Sequence, residues 1–214
     1  MTVMVGVMLV IGLAGQMGDC TPVPPLPTSW RGEVRYSNAN GTTEGEWFYS
    51  WTAGVKANVQ ISSNSSVDNH CSGGAMMFGI RPEKGTRCEL YASSEWGTVM
   101  VYPDLSVCCL CCSLAKGCGP VEPTWASSVN SSYIGRDVID GVDAVGWTIY
   151  GRQNDQMWFE EQGMAPLRLV NGWDMTFDWS AVVQGPLSPS LFDLPPYCHL
   201  SSAPQCPGFC SHLV

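Results

Sequence analysis

The densest group of side chains that could do chemistry is a run of four cysteines, Cys108, Cys109, Cys111 and Cys112, followed closely by Cys118. Their two overlapping C-x-x-C spacings could hold zinc or exchange disulfides. A zinc site would need a second ligand pair at a finger-like separation, and a thioredoxin-like site would need a strand–helix–strand setting. Neither is evident, so we predict a disulfide-stapled loop in which neighbouring cysteines bridge to different partners.

The chain contains 11 cysteines in all, which is typical of proteins that fold in an oxidising compartment. Because this number is odd, at least one cysteine cannot pair within a monomer, and a free thiol or an intermolecular bridge must be allowed for. Sequence alone leaves the pairing open. The predicted disulfide-forming set is Cys20, Cys71, Cys88, Cys108, Cys109, Cys111, Cys112, Cys118, Cys198, Cys206 and Cys210.

Catalytic signatures are missing from the sequence. The histidines, His70, His199 and His212, lie outside any metalloprotease or hydrolase motif, and there is no nucleophile elbow, phosphate loop or dinucleotide fingerprint. Glu160 and Glu161 are adjacent, so on a strand they would point to opposite faces. We therefore predict that the protein is not an enzyme and requires no cofactor.

The charge balance is acidic, with 19 Asp and Glu residues against 10 Lys and Arg and a formal net charge of −9. Nucleic-acid binders need a basic face, so this composition argues against a nucleic-acid partner. A hard cation such as calcium suits it better. Asp137, Asp140 and Asp143 lie on a glycine-punctuated loop and are the candidate calcium ligands, although their spacing is not that of an EF-hand. The alternative is that they are ordinary surface charges.

The N-terminus has the features of a secretory signal. Residues 3–14 are apolar, too short a run to span a bilayer, and small residues follow. We predict a signal peptide at 1–15, a β domain at 16–198 and a Pro/Cys-rich tail at 199–214, with an uncleaved signal anchor as the alternative. The mature protein is then secreted and extracellular. Three sequons fit glycosylated loops of such a protein, at Asn40, Asn64 and Asn130.

The cysteines and the other candidate residues must be positioned by the chain that follows the predicted signal. Most of this chain shows the period-two alternation of β-strands. Trp47, Tyr49 and Trp51 share one face of a short run, and apolar and polar residues alternate along 55–61. Helical periodicity is missing after the signal, so we predict an all-β antiparallel domain with little helix. The predicted strands are 46–51, 55–61, 88–92, 96–102, 144–150, 156–161 and 173–180, with short helical turns near 123–128 and 188–192.

Aromatic residues, 9 Trp, 7 Tyr and 6 Phe, fall largely on one face of these strands. An ordinary core would explain any single one of them. A sheet with such a face and little helix to cover it would leave apolar surface to be buried by a ligand, a lipid or another subunit. The predicted lining of a hydrophobic-ligand site is Trp47, Trp51, Val59, Trp147, Ile149, Met175, Phe177 and Trp179.

Several short motifs occur in an order shared with a known family. They are CTPVPPL at 20–26, GEVRY at 32–36, KGTRCELY at 84–91, GPLSPSLF at 185–192 and PPYC at 195–198. In these motifs the chain resembles the ependymin-related secreted glycoproteins. The resemblance implies a curved antiparallel sheet or half-barrel of the lipoprotein-carrier type with a hydrophobic cavity. It also implies N-glycosylation, dimerisation, calcium binding and a role in extracellular matrix or cell adhesion.

Two functions therefore stay open at the level of sequence. In the first, the protein binds a hydrophobic small molecule such as a fatty acid or lipid on the aromatic face of the sheet, with calcium as a further ligand. In the second, it is a structural matrix or adhesion glycoprotein, and the same face forms a homodimer interface.

Overall fold

A computed structural model describes residues 22–81, 84–151, 154–172, 175–208 and 210. The predicted signal peptide, Cys20 and His212 lie outside these residues. Within them, no helix has the length and apolar character needed to cross a membrane.

One open, curved antiparallel sheet of eleven strands contains 49% of the residues. Its strands are β1 (Ser29–Asn38), β2 (Gly41–Trp51), β3 (Lys56–Ser62), β4 (Cys88–Ser93), β5 (Gly97–Tyr102), β6 (Val107–Cys112), β7 (Ser131–Ile139), β8 (Val142–Tyr150), β9 (Asn154–Glu160), β10 (Pro166–Asn171) and β11 (Met175–Gln184). Their order across the sheet is β6-β5-β4-β3-β2-β1-β11-β10-β9-β8-β7. Two meanders, β1–β6 and β7–β11, thus join where β1 pairs with β11. The predicted fold class, a curved antiparallel sheet with little helix, is confirmed.

Helices are short in the described ranges. They are α1 (Asn69–Met77), α2 (Trp125–Ser128) and three 3₁₀ turns at Pro103–Leu105, Leu114–Lys116 and Pro189–Phe192. The helical turns predicted near 123–128 and 188–192 are present. The sequence pattern does not predict α1, because Asn-His-Cys-Ser-Gly-Gly-Ala-Met-Met has no amphipathic period. Its start is fixed by Asp68, whose carboxylate accepts a hydrogen bond from the backbone N–H of His70 at 2.9 Å.

Alternation along the strands gives the sheet two different faces. On β1, Trp30, Val34 and Tyr36 are buried on one face, which we call the aromatic face, whereas Arg31 and Arg35 between them point to the other. The side chains packed together on β1, β2 and β7–β11 of the aromatic face form what we call the aromatic cluster. Its members are Trp30, Val34, Tyr36, Trp47, Tyr49, Trp51, Tyr133, Val145, Trp147, Ile149, Met157, Phe159, Leu169, Met175, Phe177, Trp179 and Val182.

The opposite face of the sheet, which we call the tail face, is covered over β3–β6 by the C-terminal segment 187–203. We call this segment, together with its continuation as far as Cys210, the tail. Val59, Val99 and Val101 from the strands are buried there against Phe192 and Cys198 from the tail. This part of the sheet therefore has an apolar layer on both sides, because Met100 and its neighbours pack on the aromatic side as well.

Beyond Cys198 the tail turns around the edge strand β6. The backbone of Leu110 donates to the carbonyl of Pro204 at 2.8 Å and accepts from the N–H of Cys206 at 2.9 Å. Past this point the tail packs on the aromatic side, against α1 and β5. The tail thus covers a strand edge that would otherwise offer unpaired backbone groups to another chain.

Five disulfides join ten of the described cysteines: Cys71–Cys88, Cys108–Cys198, Cys109–Cys206, Cys111–Cys210 and Cys112–Cys118. The prediction that neighbouring cysteines bridge to different partners is confirmed. The prediction that they form a loop is wrong, because they lie on strand β6, where adjacent side chains point to opposite faces. Such a set of cross-links is typical of a protein that folds outside the reducing cytoplasm. The stretch predicted as a tail is bonded into the sheet as far as Cys210.

Candidate functional site

The aromatic cluster brings together all but one of the residues predicted to line a ligand site. Those in the cluster are Trp47, Trp51, Trp147, Ile149, Met175, Phe177 and Trp179. Val59 is the exception. In the pairing of β2 with β3, Trp47 lies opposite Gln60 and Val59 lies opposite Phe48. Val59 therefore points to the tail face, where it is buried, and its assignment to the same lining is wrong.

Aromatic rings in mutual contact form the centre of the cluster. The centroid of the Trp47 ring lies 5.2 Å from the centroid of the Trp179 ring and 5.8 Å from that of the Phe177 ring, and both contacts are edge to face. Trp30 packs edge to face on Trp179 at 5.8 Å. Pairs in this geometry contribute about 0.5–1.5 kcal/mol each beyond the area they bury.

Two segments lie over this face, residues 22–27 and residues 119–128, the second of which ends in the short helix α2, and together we call them the strap. Their apolar contacts with the cluster come from Val23, Leu26, Trp125 and Ala126. The prediction that no element of the chain covers the aromatic face is therefore wrong. Prolines interrupt both segments, so apart from the helical turn predicted near 123–128 neither shows a helical or strand period that pattern analysis could detect.

Few polar contacts of the described residues tie the strap to its surroundings. The N–H of Leu26 donates to the carbonyl of Pro123 at 2.9 Å, which joins the two segments to each other. The hydroxyl of Tyr49 donates to the carbonyl of Val121 at 2.8 Å, which joins the strap to β2. Burial of this hydroxyl, with a smaller contribution from the negative charge of Glu122, raises the pKa of Tyr49. The phenol is therefore a neutral, permanent donor at physiological pH.

A surface hollow of about 300 Å³ borders the strap. It is formed by Leu114, Pro120 and Glu122 on one side and by Trp51 on the other. Because Trp51 also packs against the aromatic cluster, the hollow lies at the rim of the cluster, beside the strap. The Cys112–Cys118 disulfide holds the chain immediately before the strap.

A larger cleft of about 550 Å³ lies on the tail face, between two hairpin turns and the tail. Val55, Trp96 and Phe192 supply its apolar walls, and Lys56 and Asp193 are charged residues of its lining. This volume is in the range of small-molecule sites. Sequence reasoning did not identify this cleft, because its walls come from turns and from the tail, which carry no alternation to follow.

The three aspartates predicted to bind calcium do not form a site. Asp140 lies in the tight turn between β7 and β8, and its carboxylate pairs with Arg35 at 3.0 Å. Asp137 lies opposite Ala144, so Asp137 and Asp143 point to opposite faces of the hairpin. Over the described residues, no group of three or more acidic, histidine or cysteine side chains could hold a metal ion. The calcium assignment is therefore wrong for these residues.

The three sequons differ in accessibility. Asn40, in the turn between β1 and β2, and Asn130, before β7, are exposed. Asn64 is half-buried, and its side-chain oxygen accepts hydrogen bonds from the backbone N–H and the hydroxyl of Ser66, at 2.9 and 2.7 Å. Glycosylation stays a prediction, and Asn40 and Asn130 offer the more open acceptors.

No protein-family model matches the chain, and no curated protein matches it in sequence. Among solved structures, it is similar to an uncharacterised conserved protein from Thermus thermophilus, with 8% identity, a TM-score of 0.51 and coverage of 80% of this chain and 88% of that one. Weaker likenesses are to the Pseudomonas aeruginosa MucA/MucB complex (11% identity, 80% and 57% coverage, TM-score 0.44) and to a DUF1329 family protein from Desulfovibrio piger (10% identity, 78% and 90% coverage, TM-score 0.38). The chain thus spans a little over half of the MucA/MucB chain that it matches. At these identities the likeness to the Thermus thermophilus protein shows a common fold and says nothing about activity.

Proposed function

We propose that the protein is a secreted, extracellular glycoprotein that binds a hydrophobic ligand, such as a lipid, on its aromatic face beneath the strap. One observation carries the proposal: a large aromatic cluster is covered by two proline-containing loop segments instead of a second sheet or a long helix. A cover of this kind can be displaced without breaking the ladder of the sheet. The hollow beside Trp51 lies at the margin of the strap, and a ligand would enter there once the strap is displaced.

The energetics set a lower limit on the size of the ligand. Complete burial of a large apolar side chain is worth roughly 1.5–3 kcal/mol, and two of the strap contacts, Leu26 and Trp125, are only partly buried. Lifting the strap therefore costs on the order of 6 kcal/mol. A buried methylene returns about 0.8 kcal/mol, so an acyl chain of about eight or more methylenes is needed to offset the loss. Short apolar molecules are not expected to bind.

Native mass spectrometry of the purified protein, before and after gentle organic extraction, tests this proposal. We expect copurified lipid, or uptake of a long-chain fatty acyl compound by the extracted protein. Tyr49→Phe removes the hydroxyl that holds Val121 and keeps the ring, so ligand should be taken up faster than by the wild type. Stopped-flow tryptophan fluorescence would measure this rate.

The matched control is Trp96→Ala, which alters the tail-face cleft and leaves the strap intact. If this variant loses the ligand while Tyr49→Phe behaves like the wild type, the ligand lies in the cleft and the proposed site is wrong. Failure of the extracted protein to take up any long-chain compound would remove the binding function itself.

The resemblance to ependymin-related proteins supports the same proposal, because that family combines secretion, glycosylation and a hydrophobic cavity on a curved sheet. The homodimer alternative, with a role in matrix or adhesion, gains no specific support. Its interface would be the aromatic face, which the strap already covers within one chain. Binding, rather than catalysis, is the activity we propose.

A further inference from the structure

Three tryptophans in the aromatic cluster have buried indole N–H groups with no hydrogen-bond partner among the described residues. They are Trp30, Trp47 and Trp179, and we call them the indole trio. Their rings are in mutual contact, with centroids 6.2 Å apart for Trp30 and Trp47, 5.8 Å for Trp30 and Trp179, and 5.2 Å for Trp47 and Trp179. Only 2% of Trp30 and 6% of Trp179 is exposed. The three donors thus occupy one small region in the middle of the sheet, on β1, β2 and β11.

An unpaired buried donor is expensive. Leaving one without an acceptor costs roughly 1–3 kcal/mol, and most buried polar groups in native proteins are paired. Phenylalanine would fill the same apolar face without that cost. Three such donors side by side therefore indicate a place that receives hydrogen-bond acceptors from outside the chain. The nearby tyrosines Tyr36 and Tyr49 are different, because each donates to a backbone carbonyl.

The charges around the trio decide which kind of acceptor fits. Arg35 on β1 points to the tail face, where it is bound to the buried carboxylate of Asp178 at 2.9 Å. On the aromatic face the nearby ionisable pair is Asp68 and His70, with an oxygen 3.3 Å from Nδ1, so a charge on the imidazole is balanced within the pair. Lys56 lies outside the cluster, with Nζ over the ring of Trp51 at 5.0 Å. A buried carboxylate would find no counter-charge at the trio and would be strongly disfavoured.

We infer that the indole trio receives an uncharged oxygen of the ligand, and that the ligand class is a long-chain acyl ester or a similar neutral lipid rather than a free fatty acid. The inference rests on the proposed function and identifies the chemistry of the ligand group that the trio receives beneath the strap. The acyl chain then contacts the aromatic rings, and the ester oxygens accept hydrogen bonds from the indole N–H groups.

Three ligands of similar chain length separate the alternatives: methyl oleate, oleate and 1-octadecene, each delivered from cyclodextrin to the extracted protein and titrated by tryptophan fluorescence. We expect methyl oleate to bind about tenfold more tightly than 1-octadecene, the difference that one or two net hydrogen bonds supply. It should also bind more tightly than oleate, because the carboxylate has no counter-charge at the trio.

Trp47→Phe deletes one donor and keeps an aromatic ring. It should weaken methyl oleate about fivefold more than 1-octadecene, because both ligands lose contact with the larger indole ring and only the ester loses a hydrogen bond. Trp179→Phe is a second, independent variant, and thermal unfolding checks that each is folded. Trp158→Phe is the matched control, because Trp158 lies on β9 outside the cluster, between the buried cluster members Met157 and Phe159 in sequence and thus on the other face.

Equal affinity of the wild type for methyl oleate and 1-octadecene would overturn the inference, and so would an equal loss of both ligands in Trp47→Phe and Trp179→Phe. Tighter binding of oleate than of methyl oleate would show that the acceptor is anionic and would overturn the choice of a neutral lipid. These outcomes differ from failure of the proposed function, in which none of the three ligands binds.

Discussion

Buried tyrosine hydroxyls join parts of the molecule that are distant in sequence. Each of three such hydroxyls donates to a backbone carbonyl: Tyr36 to Ile61 at 3.1 Å, Tyr49 to Val121 at 2.8 Å and Tyr102 to Cys71 at 2.7 Å. Burial raises the pKa of all three above the ordinary value of 10. The negative charge of Asp68 raises the pKa of Tyr36 and Tyr102 further. Ionisation of these phenols is therefore less favourable in the folded chain than in the unfolded chain.

The raised pKa values predict that the free energy of unfolding falls at alkaline pH. Above about pH 10 the unfolded chain loses phenol protons that the folded chain keeps, so stability is fully present below pH 10 and declines as the pH rises. Tyr36, which is fully buried, contributes up to about 1.4 kcal/mol per pH unit to the decline. Urea unfolding at intervals from pH 8 to 11 measures it. Tyr36→Phe should show a shallower decline, and a slope identical to that of the wild type would contradict the assignment.

At the scale of single elements, the edge strand β6 depends on the tail for its cover. The tail packs on the tail face, turns around β6 through its hydrogen bonds with Leu110, and continues on the aromatic side. Cys108, Cys109 and Cys111 bond it covalently on both faces. An edge strand protected in this way cannot pair with a strand of another molecule.

Removing this cover should make the protein self-associate. A variant that ends after residue 203 and carries Cys109→Ser and Cys111→Ser loses the hydrogen-bonded part of the tail around β6 but keeps Cys108–Cys198. We expect larger species in sedimentation velocity than for the intact protein at equal concentration. The control combines Cys112→Ser with Cys118→Ser, which removes a disulfide and keeps the tail. Self-association of the control alone, or of neither variant, would contradict a protective role of the tail.

The elements that sequence analysis identified and those it missed differ in a physical way. Strands such as β8, where Val145, Trp147 and Ile149 alternate with smaller or polar residues, show the period of two that one buried face imposes. Strand β6 has cysteines on both faces, so its alternation disappears although its backbone is extended. Of the strap, the sequence predicts only the helical turn near 123–128, because the proline-containing residues before it have no regular period. Alternation along β3 shows which of its residues share a face, but not which face of the sheet this is. The turn after Trp51 decides the face, because it sets the pairing of β3 with β2, and it places Val59 on the tail face.

At the scale of the whole molecule, the cross-links and the aromatic packing lie in different halves. Each of the five disulfides involves α1, β4, β6, the turn after β6 or the tail. The described residues of β7–β11 contain no cysteine and are held instead by the aromatic cluster. One continuous sheet is thus stabilised by covalent links on one side and by ring packing on the other.

This asymmetry predicts a graded response to reductant. Under mild reduction, hydrogen exchange should accelerate in α1, in β4–β6 and in the tail, while amides of β8–β11 should keep their protection, because the ring packing there does not depend on any disulfide. Hydrogen-exchange mass spectrometry with and without reductant resolves the two halves. A uniform loss of protection across the sheet would show that the halves unfold as one cooperative unit.

The long disulfides also have a consequence for the order of events during synthesis. Three of the four cysteines of β6, Cys108, Cys109 and Cys111, are made 90 to 99 residues before their partners at 198, 206 and 210. Until residues 198–210 have been made, any disulfide that these three thiols form with another cysteine is non-native and must later be exchanged. The native pairing can therefore be completed only after the chain has been made as far as Cys210, and a disulfide isomerase in the same compartment should accelerate it.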